Sequence, residues 1–290
     1  MEEKKEKRKM KLWIKLLILF SVLVVGTLLY SRFIGTSGLY AKEYLVTNKN
    51  LPNEFYGLKI IHISDIHYGQ TTNKKELETL VKRVNEYDPD IIVITGDLLD
   101  RDTTYSDTDI LDIQNTLKKL DAKLGKYIIM GNHDTTQEIY TTVVDNSNLT
   151  NLDDTHEIIY NKGMNPILIA GMSSGEHGNK TPHAKVGDAI EDIQAKEIPY
   201  SILIMHEPDY IDDIEYDNFQ LVLAGHSHNG QIRIPFIGAT ILPNHARKYY
   251  DNYYKLNNTE FYISSGVGTS TIKFRLFNRP SFNVYRLVNK

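Results

Sequence analysis

The chain lacks cysteine, and residues 43–290 lack any excess of basic residues. Without cysteine it forms no disulfide and carries no lipid-modified cysteine. Residues 43–290 hold 24 of the 33 Lys and Arg and 34 of the 37 Asp and Glu, a net charge of −10. Non-specific binding of nucleic acid needs clustered basic side chains. The composition therefore argues against nucleic acid as a partner. It gives no indication of a protein partner.

The one long apolar segment, residues 12–30, lacks both an Ala-x-Ala-like cleavage site and an Arg-Arg pair. At about 1.5 Å per helical residue, it approaches the roughly 30 Å of a bilayer's hydrocarbon core. Six basic residues precede it and only Arg32 and Lys42 follow closely, which favours a cytoplasmic amino terminus. We therefore expect a cell-membrane protein with a single uncleaved span and an extracytoplasmic domain. The expected segments are a basic tail (1–11), a signal anchor (12–30), a linker (31–42) and one domain (43–290).

Five short motifs each close a run of apolar residues. The runs are 58–63, 91–94, 127–130, 202–205 and 221–224. The motifs are Asp65-Ile66-His67, Gly96-Asp97, Gly131-Asn132-His133-Asp134, Met205-His206 and Gly225-His226-Ser227-His228. The runs are rich in Ile, Val and Leu without polar alternation, which is typical of strands buried on both faces. Because ligands bind beyond the carboxyl ends of such strands, we expect the motifs to meet in one crevice.

Amphipathic stretches between the runs predict helices and hence a layered α/β core. Asn73 can cap a helix through Leu77, Leu80, Val81 and Val84, and a second helix is predicted over 110–120. The chain after Gly230 shows few helical patterns. There we predict strands at 231–234, 261–264, 272–274 and 283–287, in a second and more antiparallel sheet.

The motifs supply carboxylate, amide and imidazole groups, a mixed set that suits Mn, Fe or Zn better than purely oxygen-bound ions. Two such ions about 3.5–4 Å apart need a shared anion. Asp97 is our choice for that bridge, because it stands between the other candidate ligands in sequence. Taken singly, Gly-Asp is a common turn signal and a lone His206 would be structural. The joint order and spacing favour a binuclear site. The other histidines are more simply interpreted as structural (His62) or as solvated loop residues: His156, His177, His183 and His245.

The order Asp-x-His, Gly-Asp, Gly-Asn-His-Asp, His, Gly-His-x-His resembles the calcineurin-like metallophosphoesterases over roughly residues 58–286. The block GHSHNGQIRIPFIG at 225–238 is similar to their bacterial membrane-anchored or exported branch. The resemblance implies a four-layer α-β-β-α sandwich of two mixed sheets after the amino-terminal span. It also implies the site roles. Asp65, His67 and His228 would hold one metal, Asn132, His206 and His226 the other, and Asp97 would bridge. His133 would act at the leaving-group oxygen, and Asp134 would orient His133.

The expected activity is hydrolysis of a phosphodiester, a phosphomonoester or a lipid-linked pyrophosphate by a hydroxide that bridges two divalent ions. Mn is the first choice of metal, with Fe, Zn or Mg as alternatives. The substrate is expected to be a phosphoester, with a lipid- or envelope-linked one as a special case. The competing hypothesis is a cell-surface scaffold protein that binds metal without turnover. Retention of His133 beside Asn132 argues against it, because a pure binder needs no leaving-group acid.

Overall fold

A computed structural model describes residues 2–177 and 180–290, and this part of the chain holds five α-helices and fourteen strands. The helices are α1 Glu2–Leu29, α2 Lys74–Asn85, α3 Asp107–Leu117, α4 Gln137–Asp145 and α5 Pro182–Ala195. The strands are β1 Tyr40–Thr47, β2 Lys59–Ile63, β3 Ile91–Thr95, β4 Gly125–Ile129, β5 Thr150–Asn151, β6 Thr155–Ile159, β7 Ile167–Met172, β8 Tyr200–Met205, β9 Leu221–Ala224, β10 Arg233–Ile234, β11 Gly238–Ala239, β12 Tyr253–Leu256, β13 Thr259–Ile263 and β14 Ser281–Val288.

Two six-stranded mixed sheets form the core. The first has the order β1-β14-β2-β3-β4-β5, and the second has the order β12-β13-β9-β8-β7-β6. Strands β2 to β5 are parallel, as are β7, β8, β9 and β13. The five motif-bearing strands are therefore parallel within their own sheets. A small ribbon of β10 and β11 lies apart from both sheets.

The predicted four-layer sandwich is confirmed, and alternate side chains of each strand explain it. Ile60 and Val93 pack between the two sheets, whereas Ile61 and Ile94 pack against helices α2 to α4. In the second sheet, Leu203 and its neighbours pack against α5. Both faces of the central strands are buried, which is why their sequences show no polar alternation.

Helix α2 begins where the sequence predicts. The Asn73 side chain accepts a hydrogen bond from the backbone N–H of Glu76, and the Glu76 carboxylate accepts one from the backbone N–H of Asn73. This reciprocal cap satisfies two N–H groups that a helix start leaves unpaired. The predicted apolar positions are buried: Leu77, Leu80, Val81 and Val84. Helix α3 begins at Asp107, three residues before the predicted start, because Ser106 caps it.

The expected second, more antiparallel sheet after Gly230 is wrong. Strand β13 does join the second sheet, but it runs parallel to β9. Strand β14 inserts into the first sheet between β1 and β2. Of the strand predicted at 231–234, only Arg233–Ile234 is a strand, in the small ribbon. Residues 272–274 form no strand. The apolar residues of a segment indicate that it forms a strand, but they do not specify which strand it pairs with.

The amino-terminal helix is long and apolar enough to cross a membrane, with a candidate span of Lys4–Ile34 whose most apolar 18-residue window is not buried against the rest of the chain. A π-helical turn, Tyr30–Ile34, follows α1. Ser31 and Gly35 are buried against the backbone at Arg275. Strand β1 starts at Tyr40, so the sheet begins inside the segment expected as a linker.

Candidate metal centre

The seven candidate ligands converge beyond the carboxyl ends of β2, β3, β4, β8 and β9. All seven side chains are buried: Asp65, His67, Asp97, Asn132, His206, His226 and His228. Their ligand atoms form two compact groups, each within 4.8 Å: Asp65, His67 and His228 in one, and Asp97, His206 and His226 in the other. Residues spread over more than half of the chain thus meet at one edge of the sandwich.

In the first group, the two imidazoles face each other. The Nε2 atoms of His67 and His228 lie 3.2 Å apart, and Nε2 of His228 lies 3.4 Å from Oδ1 of Asp65. The backbone N–H of His226 donates to the Asp65 carboxylate at 3.0 Å, which ties the first motif to the last.

In the second group, hydrogen bonds outside the cluster orient two rings. Nδ1 of His206 donates to the carbonyl of Thr95 at 2.7 Å, which leaves Nε2 of the neutral ring without a hydrogen. That bare nitrogen faces Oδ1 of Asn132 at 3.1 Å and Oδ2 of Asp97 at 3.3 Å. Nε2 of His226 donates a hydrogen bond to the carbonyl of Asn244 at 2.8 Å, so Nδ1 is the nitrogen whose electron pair is available to a metal. Three electron-pair donors thus point at one another, as metal ligands do.

Asp97 lies between the two groups. Its Oδ2 is 3.6 Å from Nε2 of His67 in the first group and 3.3 Å from Nε2 of His206 in the second. Its Oδ1 accepts a hydrogen bond from the backbone N–H of His133 at 2.7 Å. The same carboxylate therefore faces both groups.

Two glycines let the loops after β3 and β4 approach each other. A Cβ atom on Gly131 would lie 2.2 Å from the backbone nitrogen of Asp97, and one on Gly96 would lie 2.6 Å from Nδ1 of His206. Both distances are shorter than side chains tolerate. The glycine of each motif is thus required by packing beside the Asp or Asn that follows it.

The structure places Asp134 away from the His133 ring and corrects the orienting role expected for it. The Asp134 carboxylate accepts hydrogen bonds from the backbone N–H groups of Leu99 at 2.8 Å and Gly131 at 2.9 Å. It therefore holds the β3 and β4 loops together. Burial and the neighbouring charge of Asp97 raise the pKa of Asp134 to about 7.

Asp100 occupies the place expected for Asp134, and the sequence analysis missed it. Its Oδ2 lies 3.5 Å from Nδ1 of His133 and 3.4 Å from Nδ1 of His67. On the far side of the ring, Nη2 of Arg101 lies 2.7 Å from Nε2 of His133. The adjacent residues Asp100 and Arg101, shortly after the Gly96-Asp97 motif, could have been recognised in the sequence. They place a buried carboxylate and an exposed cation at the site.

The charges around Asp97 call for added positive charge. Burial alone raises the pKa of Asp97, but the charge and hydrogen bond of His206 outweigh it and bring the pKa well below the ordinary value. Burial alone lowers the pKa of His206, yet the Asp97 carboxylate raises that pKa well above its ordinary value. A buried carboxylate thus recruits a cation, and a divalent ion would serve in place of the proton.

The site opens into a cleft of about 370 Å³ with two kinds of lining. One side is polar and includes Arg101, His133 and His226. The other is aliphatic and includes Ile232, Ile241, Leu242 and Ile272. Among the remaining histidines, His62 is a core residue bonded to Thr95, and Nε2 of His177 lies 3.0 Å from the carbonyl oxygen of Gly131.

Comparison with known proteins shows the family of this chain. The family described as calcineurin-like phosphoesterase matches residues 58–230. The chain is 30% identical to the metallophosphoesterase YkuE of Bacillus subtilis over 93% of its own length and 94% of that protein. It is 27% identical to a zebrafish (Danio rerio) transmembrane protein with a metallophosphoesterase domain, over 80% of this chain and 53% of that one. Among solved structures, TT1561 of Thermus thermophilus shows a TM-score of 0.47 at 14% identity, over 72% of this chain and 90% of that one.

Fold, site and family match define the class as metal-dependent phosphoesterases. The chain belongs to the calcineurin-like phosphoesterase family, whose match spans β2 to β9 and every motif of the site.

Proposed function

We propose that the chain is a membrane-anchored phosphoesterase that uses two divalent metal ions. It would hydrolyse a phosphodiester, a phosphomonoester or a lipid-linked pyrophosphate. The observation that supports this most directly is the position of Asp97, whose carboxylate lies within 3.6 Å of an imidazole nitrogen in each ligand group. One anion shared between two sets of donors is what a pair of close cations requires.

The ligands divide between two ions. Asp65, His67 and His228 would hold one ion, Asn132, His206 and His226 the other, and Asp97 both. The donor set fits such ions, because Nε2 of His206 faces oxygen atoms of Asn132 and Asp97, and the neutral ring can meet them there only through a shared cation. The mixture of nitrogen and oxygen favours Mn, Fe or Zn over Mg, and Mn is our first choice.

When bound, two such ions supply a water of lowered pKa and positive charge for the phosphoryl oxygens. The chain's own contribution is to the leaving group. Oδ2 of Asp100 lies 3.5 Å from Nδ1 of His133 and would keep that nitrogen protonated. Burial lowers the pKa of His133, but Asp100 and the charge of Asp97 outweigh burial and raise it. Nε2 of His133 accepts from Arg101 in the structure, and once Arg101 turns to the substrate this nitrogen would carry a proton and deliver it to the departing oxygen. Arg101 would bind a phosphoryl oxygen, since its guanidinium is a ready phosphate ligand.

The amino-terminal helix would hold the domain at the cell membrane with the site outside the cytoplasm. Its apolar window and the basic residues before it support this placement. The zebrafish relative is itself named as a transmembrane protein.

The test uses the full-length protein in detergent micelles, loaded with Mn. We expect p-nitrophenol release from bis(p-nitrophenyl) phosphate, loss of that activity with a chelator and recovery with Mn. The monoester p-nitrophenyl phosphate is measured in parallel to separate diesterase from monoesterase activity. If the protein binds two ions and cleaves neither compound, the chain is a metal-binding scaffold and the proposal fails.

A second measurement isolates His133. His133→Ala should lower the rate by roughly 10²–10⁴ while about two metal ions stay bound, because the side chain acts as an acid and not as a ligand. His183→Ala, at an exposed histidine outside the site, is the matched control. Metal loss in His133→Ala would instead make His133 a ligand.

A further inference from the structure

The ribbon after the last metal-ligating motif carries an exposed apolar tip. Between β10 and β11 stand Pro235, Phe236 and Ile237, with Phe236 fully exposed and Ile237 71% exposed. Ile241, just after β11, is 73% exposed. Clustered apolar side chains on a protein surface mark a contact site for a protein or a membrane.

Backbone hydrogen bonds place this ribbon beside the end of the anchor. The N–H of Arg275 donates to the carbonyl of Ser31 in the turn after α1, at 3.0 Å. One residue further on, the carbonyl of Leu276 accepts from the N–H of Arg233 in β10, also at 3.0 Å. Residues 275–277 thus lie between the anchor and the ribbon.

Side chains continue the same surface. The ring of Phe277, which is 63% exposed, lies 6.4 Å from the ring of Tyr30 in the anchor's last turn. Phe33 and Ile34 in that turn are exposed as well. The apolar surface therefore runs from the membrane span to Phe277 and the ribbon tip, and this continuity identifies the bilayer as its occupant.

Cationic groups lie at the same level. Arg32 stands over the ring of Phe33, and Arg279 bonds the hydroxyl of Tyr40. Aromatic rings and basic side chains together are typical of the headgroup layer of a membrane.

The ribbon also borders the catalytic cleft. Ile232 precedes β10, Ile241 and Leu242 follow β11, and all three line the cleft together with Ile272. The cleft is thus polar at His133 and His226 and aliphatic toward the ribbon. A substrate with a phosphoryl group and an apolar tail matches both linings.

We propose that the ribbon of residues 232–241, with Phe277, inserts into the membrane surface next to the anchor and turns the cleft toward the headgroups. The substrate is then an amphiphilic phosphoester that keeps its apolar tail in the bilayer. The substrate part rests on the function proposed above, and the membrane contact does not.

The first experiment measures depth in the membrane. Trp13 is the sequence's single tryptophan, so Trp13→Phe combined with Phe236→Trp reports the ribbon alone. The full-length variant is reconstituted in phosphatidylcholine vesicles that contain brominated lipid. We expect blue-shifted emission and strong quenching. The matched control is Trp13→Phe with Met164→Trp, since Met164 is 87% exposed just before β7, at the amino end of the strands.

The second experiment compares two substrates with one leaving group. Soluble bis(p-nitrophenyl) phosphate is compared with dioleoylglycero-phospho-p-nitrophenol embedded in vesicles. Phe236→Ser with Ile237→Ser should lower the ratio of the vesicle rate to the soluble rate by about tenfold or more, as expected for two apolar side chains removed from a membrane contact. Met164→Ser should leave the ratio unchanged.

The results separate the two proposals. Quenching at position 236 no stronger than at 164, or an unchanged rate ratio in the double variant, overturns the inference. If wild type cleaves neither compound, the proposed function and the substrate assignment both fail. The quenching then still decides whether the ribbon contacts the membrane.

Discussion

Five of the seven candidate ligands have a left-handed backbone: Asp65, His67, Asp97, His226 and His228, with φ between 47° and 63°. Such conformations cost about 1–3 kcal/mol for residues other than glycine and persist where the surroundings enforce them. The hydrogen bonds from Gly131, Leu99 and His133 to Asp134 and Asp97 are part of that enforcement. All five residues follow the carboxyl ends of their strands, and the left-handed backbone there sets the direction of their side chains.

At this scale, Asp97→Asn tests the bridge. The amide keeps the size but loses the charge that both ions would share, so we expect fewer than about one metal ion per chain and no measurable turnover. Metal analysis and diester hydrolysis are measured together. Asp121→Asn, at an exposed carboxylate before β4, is the control. Two bound ions and full activity in Asp97→Asn would refute the bridging role.

Lys42 offers a pH test outside the metal site. Burial, then the charges of Arg275 and Arg233, lower its pKa to about 8. Its amino group donates to Asn252 at 2.8 Å. Between this pKa and the unfolded value of about 10.4, the unfolded chain binds more protons, so the stability contribution of Lys42 rises with pH. Below that window the full cost of the buried charge is present.

We therefore expect the stability of wild type relative to Lys42→Met to increase by about 1 kcal/mol from about pH 7 to pH 9.5, a value reduced for partial exposure. Thermal unfolding of both proteins at the two pH values gives this difference. An unchanged difference would show that Lys42 keeps its ordinary pKa in the fold, and a shrinking one that its pKa is raised there; either contradicts the prediction.

At the scale of elements, the parallel strands predicted from their apolar runs bring five separate motifs to one edge, and this much followed from the sequence. The orienter of His133 did not. Asp134 belongs to a motif, and Asp100 lies three residues after another. Only the paths of the loops after β3 and β4 decide that Asp100 faces the His133 ring. The position of β14 was likewise undetermined, because its largely apolar sequence fits either sheet.

The turn after α1 is a docked element, and Gly35 makes the docking possible. A Cβ atom there would lie 1.9 Å from the carbonyl oxygen of Arg275. Gly35→Ala should therefore undock the turn, since overpacking costs about 1–3 kcal/mol. Trypsin should then cut after Arg32 about tenfold faster, as followed by mass spectrometry of the full-length protein. A Cβ atom at Gly26 would meet no other atom within 4 Å, so trypsin should cut the Gly26→Ala protein at the wild-type rate. Equal rates for both variants would contradict the docking.

At the scale of the whole molecule, charge is divided unevenly along the chain. The amino-terminal 42 residues hold nine of the 33 basic residues and three of the 37 acidic ones. This asymmetry predicts an extracytoplasmic domain.

Protease added to bacterial spheroplasts should digest the domain and spare a tag at the amino terminus. Changing the six basic residues before the span to Gln should reduce the fraction of accessible domain, because orientation depends on them. A domain that stays protected in wild type until the membrane is opened would reverse the proposed topology.

The sequence by itself determined the candidate ligands, the buried parallel strands and the long apolar helix, because each depends on residue types at short range. Only the tertiary structure decided which carboxylate faces His133, which sheet receives β14, and that the anchor, residues 275–277 and the ribbon share one surface. The physical reason is the same in each case. These contacts join segments far apart in the chain, and local patterns carry no information about which distant segment becomes the neighbour.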